Sequence, residues 1–214
     1  SLKHPPPKRR KGRTDMGADM ELVKKLREQT GISILECQKA IEEAQGDLAK
    51  ATEILRKKGF EKAKAKSSRA THQGAVGSYI HMNGKIGVLV ELGCETDFVA
   101  KNEDFQKLNK DIAMQVAAMS PRYISEKDIP ADVLEKEKEI YREQLRNSGK
   151  PANIIEKIVE GKLSKFYTDV CLLHQNFFKD EKLTIEKLIA EKIHKTGENI
   201  VVKRFVRYQV GEEF

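Results

Sequence analysis

The chain has 214 residues, of which 39% are hydrophobic, enough for a medium domain with a real core plus a small satellite. No run approaches the ~18 apolar residues of a membrane span, and the N-terminus lacks the apolar stretch of a secretory signal. No membrane partner is therefore expected, and a cytoplasmic address is, with the mitochondrial matrix or plastid stroma as the alternative. The net charge of +7 would favour phosphate-rich partners. However, six basic residues (Lys3, Lys8, Arg9, Arg10, Lys11 and Arg13) crowd into the first 19, against Asp15 and Asp19, so nucleic acid is not an expected direct partner.

Residues 1–19 hold Pro5, Pro6, Pro7 and Gly12 without apolar periodicity. They read as a disordered basic tail, or a remnant ahead of the first patterned segment at Met20, with a nuclear-localisation or RNA-binding arm as the sharper alternative. Residues 20–60 read as three short helices. Leu22, Val23 and Leu26 form the first stripe, which stops at Thr30-Gly31. Ser33 lies three residues before Glu36, a capping-box spacing that starts the second helix, with Leu35, Ala40, Ile41 and Ala44 at helical intervals. Gly46 ends that helix, Asp47 caps the third, and Leu48, Ala51, Ile54 and Leu55 continue the inner face until Gly59 terminates it. Residues 61–73 are basic, small and polar and read as a linker, helical or not.

A core domain is expected over 74–214. Residues 75–81 and 85–92 are β-rich runs joined by Met82-Asn83-Gly84, and Asn-Gly favours a tight hairpin turn. Phe105, Leu108, Ile112, Val116 and Met119 make one helical face that Pro121 closes. The charged stretch 131–147 and the fuller stripe through Ile155, Ile158, Val159, Leu163, Phe166, Val170 and Leu173 flank a turn at Ser148-Gly149-Lys150-Pro151. They suggest an antiparallel helical hairpin packed on the sheet. Thr184 can cap a last helix, and 199–210 alternates as a terminal strand. The fold class is then α+β, with about three antiparallel strands covered by helices.

The usual signatures of covalent chemistry are missing. There is no Walker phosphate loop, GxGxxG or HExxH, and His4, His72, His81, His174 and His194 show no ligand spacing. His81 reads as a surface residue at a strand end. Cys37, Cys94 and Cys171 are odd in number, far apart and free of any CxxC pattern. They read as small buried hydrophobes, with an intersubunit disulfide as the alternative. No catalytic residue, metal or cofactor is expected.

Two stretches carry more information than periodicity. The first is Leu26-Arg27-Glu28-Gln29-Thr30-Gly31-Ile32-Ser33-Ile34-Leu35-Glu36-Cys37-Gln38-Lys39-Ala40. The second is Glu91-Leu92-Gly93-Cys94-Glu95-Thr96-Asp97-Phe98-Val99-Ala100-Lys101-Asn102. In this order they resemble the two signatures of the elongation factor Ts family, whose N-terminal bundle is of ubiquitin-associated type. Similarity continues through Gly161-Lys162-Leu163, Phe166-Tyr167, Cys171-Leu172-Leu173, Gly197-Glu198-Asn199-Ile200 and Arg204-Phe205-Val206-Arg207-Tyr208, covering essentially 20–213. Gly93 stands where the family usually has asparagine, and His174 and Asn176 stand where glutamate and proline are common.

The resemblance implies a non-enzymatic guanine nucleotide exchange factor of translation elongation that grips elongation factor Tu and promotes release of its GDP. It assigns Thr96, Asp97, Phe98 and Val99 as a wedge pushed into the GTPase's nucleotide domain, disturbing magnesium and phosphate contacts so that GTP can reload. It assigns Leu26, Thr30, Gly31, Ile34 and Leu35 of the bundle as further partner contacts. The residues alone suggest otherwise: Phe98 would pack inward, Asp97 would be an ordinary cap, and the turn after Thr30 would pack two helices together. Longer members carry a duplicated core and an inserted coiled-coil hairpin; the ~195 residues after the tail are too few for both. The short form implies a homodimer through the core sheet. A ubiquitin-binding or nucleic-acid-binding adaptor built on the three-helix bundle is the rival function class.

Overall fold

The computed structural model describes residues 16–212. The chain divides between Glu61 and Lys62 into two compact units.

The first unit contains α1 (Met16–Thr30), α2 (Ile34–Glu43) and the larger part of α3 (Leu48–Lys66). The Thr30 hydroxyl donates to the Leu26 carbonyl at 2.7 Å and accepts the Ile32 N–H at 3.3 Å, which ends α1 as the chain turns through Gly31. Ser33 caps α2 by accepting the Glu36 N–H at 3.4 Å, and its hydroxyl donates to the Glu36 carboxylate at 3.2 Å. After α2 the Gly46 N–H reaches back to the Ile41 carbonyl at 2.9 Å, and the Asp47 carboxylate accepts the N–H groups of Ala49 and Lys50. Val23, Leu26, Ile32, Cys37, Ile41 and Leu55 fill the space between the helices.

Two boundaries depart from expectation. Helix α1 already begins at Met16, inside the stretch read as a tail; that reading of residues 1–15 lies outside the described residues. Helix α3 runs on through Gly59 to Lys66, because Gly59 is buried in helical backbone and is not among the glycines at positive φ. A glycine stops a helix where the chain turns left-handed, and here it does not. The expected linker thus begins as helix, and Ala63 packs against the core of the second unit.

In the second unit β1 (Gln73–Ile80) and β2 (Ile86–Cys94) form an antiparallel hairpin over the 3₁₀ turn Met82–Gly84, where Asn83 and Gly84 both take φ near +71°. Strand β5 (Ile200–Gln209) pairs antiparallel with β2, giving the order β1-β2-β5, with a bulge opposite Glu91/Leu92. Helices α5 (Glu103–Met119) and α8 (Ile185–Thr196) share a core with the sheet through Phe105, Leu108, Ile112, Ile189, Val90 and Leu92. The approach of α5 to β1 is close: a Cβ on Gly77 would lie 2.6 Å from Asn109 Oδ1, while the Asn109 amide donates to the Ala75 carbonyl at 3.0 Å. The apolar face of α5 ends at Ala117, since Met119 is exposed and Ser120 closes the helix in the left-handed region. Thr184 caps α8 as expected, accepting the Lys187 N–H at 3.3 Å.

Helices α6 (Ala131–Leu145) and α7 (Ala152–Val170) form the expected antiparallel hairpin, but it packs on itself rather than on the sheet. Its small cluster of Ile129, Val170 and Cys171, flanked by Tyr123, Val133, Leu134, Phe166 and Tyr167, is separate from the sheet core, and α6 buries no residue fully. The stripe on α6 is too thin to cover two surfaces. Polar links join the pair: Arg142 holds Glu156 through two nitrogens at 2.9 and 3.2 Å, and Lys162 lies over the Tyr141 ring. The sequence gives no sign of the short hairpin β3 (Asn176–Phe177) and β4 (Asp180–Thr184). Gln115, wholly buried in α5, fastens it: its amide donates to the Asn176 carbonyl at 3.0 Å and its oxygen accepts the Phe178 N–H at 2.9 Å.

Candidate partner interface

Strand β2 leaves the sheet at Cys94 and enters the one-turn helix α4 (Asp97–Ala100). Thr96 has extended backbone, and its hydroxyl accepts the Val99 N–H at 3.4 Å, so the turn starts as a capped helix. Ala100 is buried and Val99 is half-buried against the sheet core, which anchors one side of α4. The other side faces outward. Phe98 is 82% exposed, the largest exposure among the large hydrophobic residues described, and Asp97 beside it is exposed too. The packing role that the residues alone suggest for Phe98 is therefore not the one it has. Hydrogen bonding from Lys101, 2.8 Å away, holds the Asp97 carboxyl below its ordinary pKa.

Residues distant in sequence fix the approach to α4. Glu198, between α8 and β5, accepts the Thr96 N–H at 3.0 Å and the Thr96 hydroxyl at 2.6 Å. Glu95 accepts the Asn199 N–H at 2.6 Å and pairs with Arg69 at 3.5 Å. The buried Asn199 amide donates to the Arg69 carbonyl at 2.8 Å. The Cys94 thiol, its pKa raised by burial, donates to the Thr96 carbonyl at 3.1 Å. Sequence reasoning missed Glu95, Glu198, Asn199 and Arg69. Glu95 lies within the second signature stretch and Glu198 and Asn199 within Gly197-Glu198-Asn199-Ile200, but similarity marks these stretches without showing that they meet. A Cβ at Gly93 would come within 2.8 Å of Lys203 Cε at the bulge, but that is the far end of a flexible side chain that can move aside, so this contact does not by itself demand glycine.

In the first unit the five assigned residues separate. Gly31, Ile34 and Leu35 are exposed, the last two by 48% and 61%, and they lie together where α2 begins. Thr30 is half-buried and occupied in ending α1. Leu26 is 0% exposed, so it has no surface to offer a partner and serves instead to pack the bundle. Its place on the inner stripe at i+3 from Val23 is the physical reason. Cys37, Cys94 and Cys171 are all fully buried, and burial raises each thiol's pKa, Cys171 to about 11.

The family model described as elongation factor TS matches residues 21–212. The chain is 58% identical to elongation factor Ts of Fervidobacterium nodosum over 197 residues, covering 92% of this chain and 100% of that protein. It is 59% identical to that of Thermosipho melanesiensis over 192 residues, 90% of this chain and 98% of that one. The factor of Thermotoga maritima is 54% identical over 199 residues, 93% of this chain and 99% of that one.

Proposed function

The chain belongs to the elongation factor Ts family, and we propose that it binds elongation factor Tu carrying GDP and promotes release of that nucleotide without covalent chemistry. The observation that carries this reading is the exposed Phe98 on a turn fastened at both ends. A ring held in water by a rigid backbone gains free energy when a partner covers it. If the covered arrangement is one in which the GTPase has lost its magnesium and phosphate contacts, that gain opposes nucleotide binding. Reciprocity then requires that GDP weakens the complex by the same factor by which the complex weakens GDP. Thr96 and Val99 set the backbone, Asp97 and Phe98 meet the partner, and Gly31, Ile34 and Leu35 of the bundle supply a second contact.

The reading is tested by the release of fluorescent GDP from elongation factor Tu, with the unsubstituted chain and with Phe98→Ala. We expect strong acceleration that Phe98→Ala lowers by about ten-fold or more while complex formation persists. Absence of acceleration by the unsubstituted chain with a cognate GTPase would remove the exchange reading. The chain also pairs with a second copy through the core sheet in this proposal, because Val76, Ile80, Leu89 and Tyr208 are exposed and β1 is an edge strand.

A further inference from the structure

A ring as exposed as Phe98 touches too little of its own chain to be aimed by side-chain packing, so its direction is set by the backbone of residues 96–101. A single helical turn does not hold itself in water. Val99 and Ala100 press one side of the turn into the core, which fixes its depth but leaves its entry free. The entry is Thr96, and both of its donors end on one carboxylate 102 residues away, that of Glu198. The same hydroxyl that donates to Glu198 accepts the Val99 N–H, so the carboxylate orients the capping oxygen. Glu198 is itself held. Gly197 ends α8 at φ +78° with its N–H on the Ile193 carbonyl at 2.9 Å, the Lys66 ammonium donates to the Gly197 carbonyl at 2.6 Å, and the Glu198 N–H donates to the Thr196 hydroxyl at 3.3 Å. The neighbouring pair repeats the link in the opposite sense, with the Asn199 N–H donating to Glu95.

We propose that Glu198 is a positioning residue for exchange: by fastening Thr96 it fixes the angle at which the Phe98 ring meets the GTPase. The proposal rests on the reading of α4 as the exchange element. A contact misplaced by a fraction of an ångström still binds but no longer stabilises the strained arrangement of the partner. Loss of Glu198 therefore lowers the limiting rate more than it weakens the complex.

The test measures GDP release from elongation factor Tu at a range of exchange-factor concentrations, with Glu198→Ala in the unsubstituted and Phe98→Ala chains. Glu198→Ala is expected to lower the limiting rate about ten-fold, with a shift of less than about three-fold in the concentration giving half the effect. In the Phe98→Ala chain the same substitution changes the rate by less than about two-fold, because the group through which Glu198 acts is gone. An unchanged limiting rate in Glu198→Ala overturns the proposal, as does an equal loss with and without Phe98. Amide hydrogen exchange separates this from a failure of the exchange reading. Should the unsubstituted chain not accelerate release, the exchange reading fails and the proposal with it; faster exchange at Val99, Ala100 and Lys101 in Glu198→Ala, with Val90 and Leu92 still protected, then shows that Glu198 fastens the turn all the same, and unchanged exchange at those amides removes that fastening too.

Discussion

Asp104 stands in the first turn of α5 and takes two ammonium groups from α8, Lys195 at 2.6 Å and Lys192 at 3.2 Å. The hydrogen bond from Lys195, with help from Lys192 and against partial burial, holds its carboxyl below the ordinary 3.8. A carboxyl with a depressed folded pKa contributes stability above its unfolded pKa and loses it as pH falls through the folded value. Asp104→Asn is therefore expected to cost about 0.5–1 kcal/mol at pH 7, the site being partly solvated. In urea titrations that difference should fade below pH about 4 and vanish in stronger acid. A difference that persists unchanged at pH 2.5 would mean that Asp104 acts through packing. Other single residues are legible in the sequence itself. Ser33, Asp47 and Thr184 are legible as caps from local spacing alone, because a cap and the N–H groups it serves lie within three residues. Glu198 was not legible as a partner of Thr96, because nothing local links residues separated by 102 positions.

At the scale of elements, the contact of α5 with β1 depends on Gly77. Adding a Cβ there forces it to within 2.6–2.9 Å of the Asn109 side chain, which is buried and already donating to Ala75. Gly77→Ala is expected to destabilise the second unit by about 1–3 kcal/mol, seen as a lower midpoint in chemical denaturation, and Asn109→Ala in the same chain should recover part of the loss. No recovery would show that the backbone of β1, and not the Asn109 side chain, is the obstacle. The stronger elements were readable from their periodicity, and the Asn83-Gly84 turn from its residue types, since each needs only neighbours in sequence. The β3–β4 hairpin escaped because it is two to five residues long and largely polar, and its main support is Gln115 from another element. The independence of the α6–α7 hairpin escaped for a related reason: periodicity tells which face is apolar but not what covers it.

At the scale of the whole molecule, the sheet has three strands, so β1 and β5 both lie at its edges, and the face bearing Val76, Ile80, Leu89 and Tyr208 is exposed. Pairing of two copies over this surface would cover apolar area that a soluble monomer rarely presents in one patch. Light scattering coupled to gel filtration is expected to give twice the chain mass at tens of micromolar, and Leu89→Glu, on the exposed side of β2, to give the single-chain mass without loss of helix or sheet signal. A single-chain mass for the unsubstituted protein across a wide concentration range would end the idea.

The exposed ring of Phe98 also sets a ceiling. Covering a phenylalanine side chain is worth about 1.5–3 kcal/mol, which corresponds to roughly a ten- to hundred-fold change in an equilibrium. The turn is already ordered before any encounter, through Glu198, Val99 and Ala100, so little of that gain is spent in freezing a loop. Destabilisation of a bound nucleotide beyond about a hundred-fold must then draw on surfaces other than this one side chain.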